Sequence, residues 1–486
     1  MNLGLFIPEL SLAVTAIAVI LLDLFVQRKG VLAVVSLIGL AAAFASILFI
    51  PVNSPQAIFN NMLAVDGFAF FFKLLFLGIA ALVILASQDY VSKFSGFRGE
   101  YYALILLSAL GMMLMAATRE LISIYVALEL TSISLYVLAG FLKDKKSTEA
   151  SLKYLLLGAI SSAILLYGMA LVFGSTGETQ LGEIAGAVAA LSSTNVMTNP
   201  ALVVGVVLLI AGFGFKIAAF PFHMWVPDVY EGAPTPIVAY LSVGSKAAGF
   251  AVILRVFHSA FGMTEWLSIN WGLIFAGLAA IGMFLGNLTA LPQTNIKRML
   301  GYSSIAQAGY IMVGLATMGV SRPDNILGQS GVLFFLVAYA LANLGAFSAI
   351  IAISNKLDSD LIENYSGMIK RAPLLTLALS LCLISLIGMP PAAGFMAKFY
   401  IFSGAVKSGL LWLVIIAVLN SVISAYYYLR VVKVMWFGEP ASEEKVPSSG
   451  ALRLALAISC LGVLLLGIVP GFALGMAQAA ASMFTF

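Results

Sequence analysis

The stretch from Gly212 to Pro236, GFGFKIAAFPFHMWVPDVYEGAPTP, continues a run of Val, Leu, Ile and Gly, yet it places Lys216 inside that run, Pro221 shortly after and His223 just beyond. A second stretch, LIGMPPAAGFMAKFYIF, sets Pro390 and Pro391 ahead of Lys398. Lys246 and Glu129, the latter in YVALELTSISLYVLAG, likewise fall in apolar surroundings. Proton exchange is the chemistry that such residues can perform. Burial disfavours the charged form of a lysine and a nearby carboxylate favours it, so a buried lysine can be poised to bind and release a proton near neutral pH. Proline contributes no N–H, so the carbonyl of Ile217, next to Lys216, loses its helical partner to Pro221. Freed carbonyls at membrane depth are tolerated where they line protein or water.

The elements that carry these residues are membrane helices. The chain is 62% hydrophobic and only 9% charged over 486 residues, against roughly 25% charged in soluble domains. About 20 consecutive apolar residues suffice for one transmembrane helix. Fourteen such spans are predicted, near 3–25, 31–50, 66–87, 101–118, 120–141, 149–173, 201–228, 235–257, 270–290, 297–318, 330–354, 374–408, 411–436 and 452–476. The first reads as a retained helix, with no basic run before it and no small-residue cleavage site after it. Counted over alternate loops, fifteen Lys and Arg fall on one side, and only Arg119, Arg322 and Lys407 on the other. The positive-inside rule makes the first side cytoplasmic and puts both termini outside. The expected organisation is an N-terminal three-helix segment (1–100), two five-helix units (101–260 and 261–438) and a C-terminal helix (439–486).

Seven basic residues stay within spans: Lys73, Lys153, Lys216, Lys246, Arg255, Lys398 and Arg430. Arg255 and Arg430 lie near span ends, where long side chains can snorkel to the interface. Lys73 and Lys153 lie one to two turns inside, where snorkelling is less comfortable. Lys216, Lys246 and Lys398 are central in spans seven, eight and twelve, and Glu129 is the one acidic residue read as mid-span. A central charge opposes insertion by about 2.5–3.5 kcal/mol, so four facing lipid would cost on the order of 10 kcal/mol. Structural ion pairing accounts for one lysine with Glu129 but leaves two lysines without a carboxylate. A hydrated path whose groups change protonation accounts for all four. His223 is either a relay, since histidine titrates near neutrality, or a packed interfacial side chain. His258 reads as interfacial. Cys382 and Cys460 read as packing residues with no zinc or disulfide spacing, and no metal site is expected. No Walker loop or dinucleotide fingerprint is present.

The two proline-broken spans are five apart, an odd number, so they run in opposite directions across the membrane. An inverted repeat of spans 4–8 and 9–13, with broken helices at spans 7 and 12, produces this arrangement, a plan common among transporters.

Three segments, GFKIAAFPFHMWVPDVYEGAPTP, LPQTNIKRMLGYSSIAQAGYIMVGLA and GMPPAAGFMAKFYIF, resemble the antiporter-like membrane subunits of respiratory complex I, the bacterial proton-translocating NADH:quinone oxidoreductase. The likeness runs from about Asp66 to Gly438. Within the family, L-type members add a long lateral helix and M-type members carry Glu where this chain has Lys398; the resemblance favours the N type. It implies an all-α polytopic fold and a translocase subunit in a bacterial plasma membrane. Carried over by motif, the proton-channel residues are Glu129, Lys153, Lys216, Lys246 and Lys398. It implies no cofactor in this chain, with FMN, iron–sulfur clusters and quinone bound by other subunits. The implied partners are other membrane-arm subunits, antiporter-like neighbours among them, and the lipid bilayer; nothing points to nucleic acid. In the implied mechanism Glu129 holds Lys216 protonated, and the proton then passes by His223 and Lys246 to Lys398. A subunit of an Mrp-type cation/proton antiporter, on the same fold, is the alternative.

Overall fold

The structure is a computed structural model that describes residues 3–50, 56–94, 96–192, 199–262, 265–320, 326–440 and 442–482; Arg322 lies outside them. The helices are α1 (Ile7–Phe25), α2 (Gly30–Leu48), α3 (Gly67–Ser87), α4 (Arg98–Ala117), α5 (Leu121–Ala139), α6 (Lys145–Thr176), α7 (Leu181–Ser192), α8 (Pro200–Ile217), α9 (Trp225–Gly232) and α10 (Thr235–Tyr240). They continue as α11 (Lys246–Phe261), α12 (Glu265–Ala290), α13 (Ile296–Val320), α14 (Leu327–Leu357), α15 (Met368–Arg371), α16 (Pro373–Ile387), α17 (Ala393–Lys407), α18 (Leu411–Phe437), α19 (Gly450–Ile468) and α20 (Gly471–Ala481). One π-helical turn, Leu241–Ser245, joins α10 to α11. The all-helical expectation needs one small amendment: strands β1 (Gln56–Ile58) and β2 (Leu63–Val65) form an antiparallel hairpin between α2 and α3.

Among the described residues, thirteen helices are each long and apolar enough to cross a bilayer, which makes the chain a multi-pass membrane protein. Fourteen were expected, and the difference is span twelve. It is cut into α16 and α17, of 15 residues each, so neither half alone reaches the length required. Span seven is cut as well, into α8 and α9. Contacts between loops respect the expected alternation. The β2 residue Leu63 pairs with Thr118, and Glu120 with Gln180, on one side. On the other, basic-rich side, Asn295 pairs with Leu361, and Asp89 accepts from the Ser449 N–H at 2.9 Å.

Arg255, expected to reach the interface, and Lys73, read as one to two turns inside, both lie buried in ion pairs. Arg255 grips Asp66 with both terminal nitrogens, at 3.0 and 3.1 Å, donates from Nε to the Ala116 carbonyl at 2.8 Å and lies over the Phe68 ring. Asp66 also caps α3 by accepting from the Ala69 N–H at 2.8 Å. Lys73 pairs with Glu9 at 2.6 Å, both buried, so Glu129 is not the only acidic group within the apolar body. Arg430 turns to the Leu291 and Gln293 carbonyls at the end of α12. A buried pair loses about 3–5 kcal/mol when one partner is removed, because the other charge stays behind. Arg255→Met should therefore sharply lower the yield of folded subunit in membranes and its thermal stability in detergent, and Asp66→Asn added to it should restore part of the loss. A single variant as stable as the parent would remove the pair from the list of structural anchors.

Candidate functional site

The two breaks share one local form. α8 ends where Ala218 adopts φ +60°, and the Ala219 N–H returns to the Gly214 carbonyl at 2.8 Å. α16 ends where Gly388 adopts φ +90°, and the Met389 N–H returns to the Ile384 carbonyl at 3.3 Å. In both, an N–H bonds the carbonyl five residues back across a left-handed residue, the usual way to finish a helix. Gly388 has a second reason to be glycine, since a Cβ there would lie 2.9 Å from Cδ of Lys398. Trp225, at the start of α9, takes the Phe215 carbonyl through its indole N–H at 3.1 Å and stacks on Tyr154.

Three lysines gather at these breaks and at the π turn, and all are buried: Lys216 is 2% exposed, Lys246 1% and Lys398 5%. None is in an ion pair with a described carboxylate. Lys216 donates to Ser132 Oγ of α5 at 2.6 Å. Lys246, directly after the π turn, donates to the backbone carbonyl of Ser304 in α13. Lys398, on α17, reaches back across the break to the Ile387 carbonyl at 2.8 Å, the Leu386 carbonyl at 3.4 Å and Ser421 Oγ at 3.0 Å, with the Tyr310 ring 4.2 Å away. An ammonium has three N–H donors, and Lys398 has three oxygen acceptors for them. Two of these are terminal carbonyls of α16, the negative end of that half-helix dipole.

The row is linked by close backbone approach. Gly249, one turn beyond Lys246 on α11, lets α8 come so near that a Cβ there would lie 3.3 Å from Cβ of Lys216 and 2.7 Å from Cγ2 of Ile217. Glu129 is half-buried on α5 and accepts a short hydrogen bond from Ser162 of α6. The expected Glu129–Lys216 ion pair does not form; the lysine instead bonds Ser132, one turn along α5 from the glutamate. His223 lies in the break between α8 and α9, stacked on Phe220, and hydrogen-bonds to neither lysine. Lys153 does not join the buried row. Its side chain is 41% exposed and pairs with Asp228 at 2.7 Å and Glu149 at 2.9 Å, while Asp228 and Glu231 also hold Arg298.

That charged cluster borders a polar cavity of about 640 Å³ on the basic-rich side, whose lining includes Lys93, Asp144, Lys146, Glu231, Arg298 and Asp360. Three residues beyond Arg298 on α13, Gly301 packs on Tyr230, and one turn further Ser304 meets Lys246. Lys398 opens instead on a largely apolar cavity of about 740 Å³ between α17 and α18, with Lys407 in its lining. Ser132, Ser162, Ser421 and Tyr310, which meet Lys216, Glu129 and Lys398, and the buried Ser303, Gln307 and Tyr428 nearby were not singled out in the sequence, although a signal was present. Ser303, Gln307 and Tyr310 are spaced four and three apart, which places them on one face of a helix.

A polytopic helical protein with two capped helix breaks and three buried lysines outside any described ion pair has the antiporter-like membrane fold. Residues 117–424 match the family described as NADH:quinone oxidoreductase/Mrp antiporter, TM. The chain is 51% identical over 470 residues to NADH-quinone oxidoreductase subunit N of Dehalococcoides mccartyi, covering 96% of this chain and 97% of that one. It is similar to a chain of respiratory complex I from Thermus thermophilus, at 36% identity and a TM-score of 0.79, covering 96% of this chain and 98% of that one. A chain of the Mrp complex from Dietzia sp. shares the fold at 21% identity, with a TM-score of 0.83, covering 100% of this chain and 98% of that one. The chain belongs to the NADH-quinone oxidoreductase subunit N family.

Proposed function

We propose that this chain is a proton-translocating membrane-arm subunit of an NADH:quinone oxidoreductase, sitting in a bacterial plasma membrane with both termini on the outer side. The observation that carries this reading is the set of three buried lysines that meet only uncharged oxygens. Two other buried cations of this chain, Lys73 and Arg255, are each matched by a carboxylate, whereas a group that alternates between amine and ammonium is served by neutral acceptors that tolerate both forms. The polar cavity beside Arg298 and Asp228 is the uptake mouth on the cytoplasmic side, and Lys153 belongs to its rim. Protons move along Lys216, Lys246 and Lys398, and the last releases toward the outer face. Glu129, one turn from the Lys216 site, raises or lowers the hold on that lysine as its own surroundings change. The two breaks are the centres of inverted five-helix units, one in 101–260 and one in 261–438. Moving one charge against 100 mV takes about 2.3 kcal/mol, and the redox energy comes from flavin, iron–sulfur and quinone chemistry in partner subunits.

Relatives bearing the quinone oxidoreductase name at 51% identity favour this reading over an Mrp-type antiporter, where the likeness is one of fold. Purification with native partners separates the two: flavin- and iron–sulfur-containing partners are expected, and a complex with cation/proton exchange but no redox centre would overturn the assignment. In the redox complex reconstituted in proteoliposomes, Lys246→Ala should lower donor-driven proton uptake about a hundredfold or more, as loss of a positioned proton-transfer group generally does. Unchanged uptake per assembled complex would remove Lys246 from the path.

A further inference from the structure

The central and terminal lysines are not in contact, and the polar groups between them belong to α13 and α18. Lys246 ends on the carbonyl of Ser304. The neighbouring residue, Ser303, shares a short hydroxyl–hydroxyl hydrogen bond with Tyr428 of α18. Gln307, one turn further along α13, donates from Nε2 to Tyr428 Oη at 3.5 Å and to the Leu386 carbonyl at 2.9 Å. Leu386 is the same carbonyl that receives Lys398. All of these side chains are buried, Ser303 and Gln307 at 2% exposure and Tyr428 at 0%. A carbonyl can only accept, so its contact fixes the Gln307 amide with the nitrogen facing both partners. A buried polar chain with every member bonded is costly to leave half-satisfied, so its members act together.

We propose that the Ser303 and Tyr428 hydroxyls relay the proton between Lys246 and Lys398, with Gln307 as the positioning residue that holds Tyr428 beside the Lys398 carbonyl cage. The inference rests on the proton-translocating reading above. In the transfer, an N–H bond of the Lys246 ammonium, held on the neighbouring Ser304 carbonyl, breaks, and the proton moves through a bridging water to the Ser303 oxygen. The former Ser303 hydroxyl proton passes to Tyr428 Oη. Tyr428's own proton moves on, through a bridging water, to the Lys398 amine, which becomes an ammonium. Both hydroxyls end neutral, and one proton has moved. Rotation of the two hydroxyls resets the chain. Gln307 transfers nothing; as a donor only toward Tyr428, it keeps an oxygen lone pair of that residue occupied and so limits the directions in which the hydroxyl can point.

The test uses the whole complex in proteoliposomes, reading protons taken up per donor oxidised and per assembled complex, with Lys246→Ala and Lys398→Ala alongside. Tyr428→Phe keeps the ring and loses the hydroxyl; Ser303→Ala loses the hydroxyl, and Ser303→Thr keeps it. Uptake in Tyr428→Phe and Ser303→Ala should fall roughly a hundredfold, the lower end of the range for loss of a positioned proton-transfer group, while Ser303→Thr stays near the parent. Wild-type uptake in both hydroxyl-free variants, with the lysine variants impaired, overturns the relay and leaves the function standing. Wild-type uptake in the lysine variants overturns the function itself. If Tyr428→Phe does not assemble, Ser303→Ala decides, because it removes one small hydroxyl that bonds Tyr428 and leaves the ring in place. Failure of both to assemble assigns the pair a structural role and also overturns the relay.

Discussion

Lys398→Arg should abolish most of the pumping through this subunit although it preserves the charge. Arg ordinarily titrates about 2–3 pH units above Lys, so release of its proton is on the order of 10²–10³-fold harder. The geometry makes the comparison clean. Lys398 faces two backbone carbonyls and a serine hydroxyl, all able to accept from a cation and none able to supply a counter-charge. A guanidinium can bond those oxygens and hold its proton there permanently. Lys398→Ala removes both the proton site and the cation, and it should be at least as damaging as Arg. Lys398→Glu introduces a group that must itself be protonated to meet the two carbonyls. It should bind a proton but part with it reluctantly, giving partial activity at best. The measurement is donor-driven proton uptake in proteoliposomes, normalised to assembled complex. If Arg pumps like the parent, charge alone suffices at this position, and Lys398 anchors the α16–α17 break rather than carrying protons.

Glu129→Gln and Lys216→Ala should each strongly reduce both pumping and quinone-linked turnover while leaving assembly intact. Glu129 sits one turn from Ser132, to which Lys216 bonds, and groups three apart on a helix are about 5–6 Å from one another. Two unit charges at about 6 Å and an effective dielectric near 20 interact by roughly 3 kcal/mol, about a hundredfold in proton affinity. That is the scale needed to load and unload Lys216 within a cycle. Assembly should survive because each group leaves behind only a serine: Ser162 for Glu129, and Ser132 for Lys216. The Arg255–Asp66 pair behaves oppositely, since removing either member strands a buried charge. Normal yield together with normal pumping in both Glu129→Gln and Lys216→Ala would sink the channel reading. Poor yield in both would move them into the same structural class as Arg255.

Much of this protein could be read along the chain. Hydropathy, loop charge and the prolines at 221, 390 and 391 are local properties, and a membrane helix is specified by local properties because its backbone bonds are all satisfied within the segment. Thus the spans, the two breaks and the depth of Lys216, Lys246 and Lys398 followed from residue order alone, as did the resemblance on which the family rests. The αL caps were not read from the sequence: Gly388 takes φ +90°, and at Ala218 a non-glycine residue takes φ +60°.

Tertiary structure decided which charges are free. In one dimension Arg255 lay near a span end and Lys73 and Lys153 one to two turns inside, set apart from the central row by depth alone. Folding neutralises Lys73 against Glu9 and Arg255 against Asp66, 189 residues away in sequence. It moves Lys153 to a half-exposed cluster with Asp228 and Glu149. It also swings Lys398 back over the end of α16, a helix that precedes it, and brings Ser303 of α13 against Tyr428 of α18. Depth in a bilayer is set by position along one helix, and sequence carries that directly. Whether a charge at that depth meets a carboxylate, a carbonyl or a hydroxyl is set by which helices pack together and which faces they turn inward, and helix periodicity alone does not specify the neighbour.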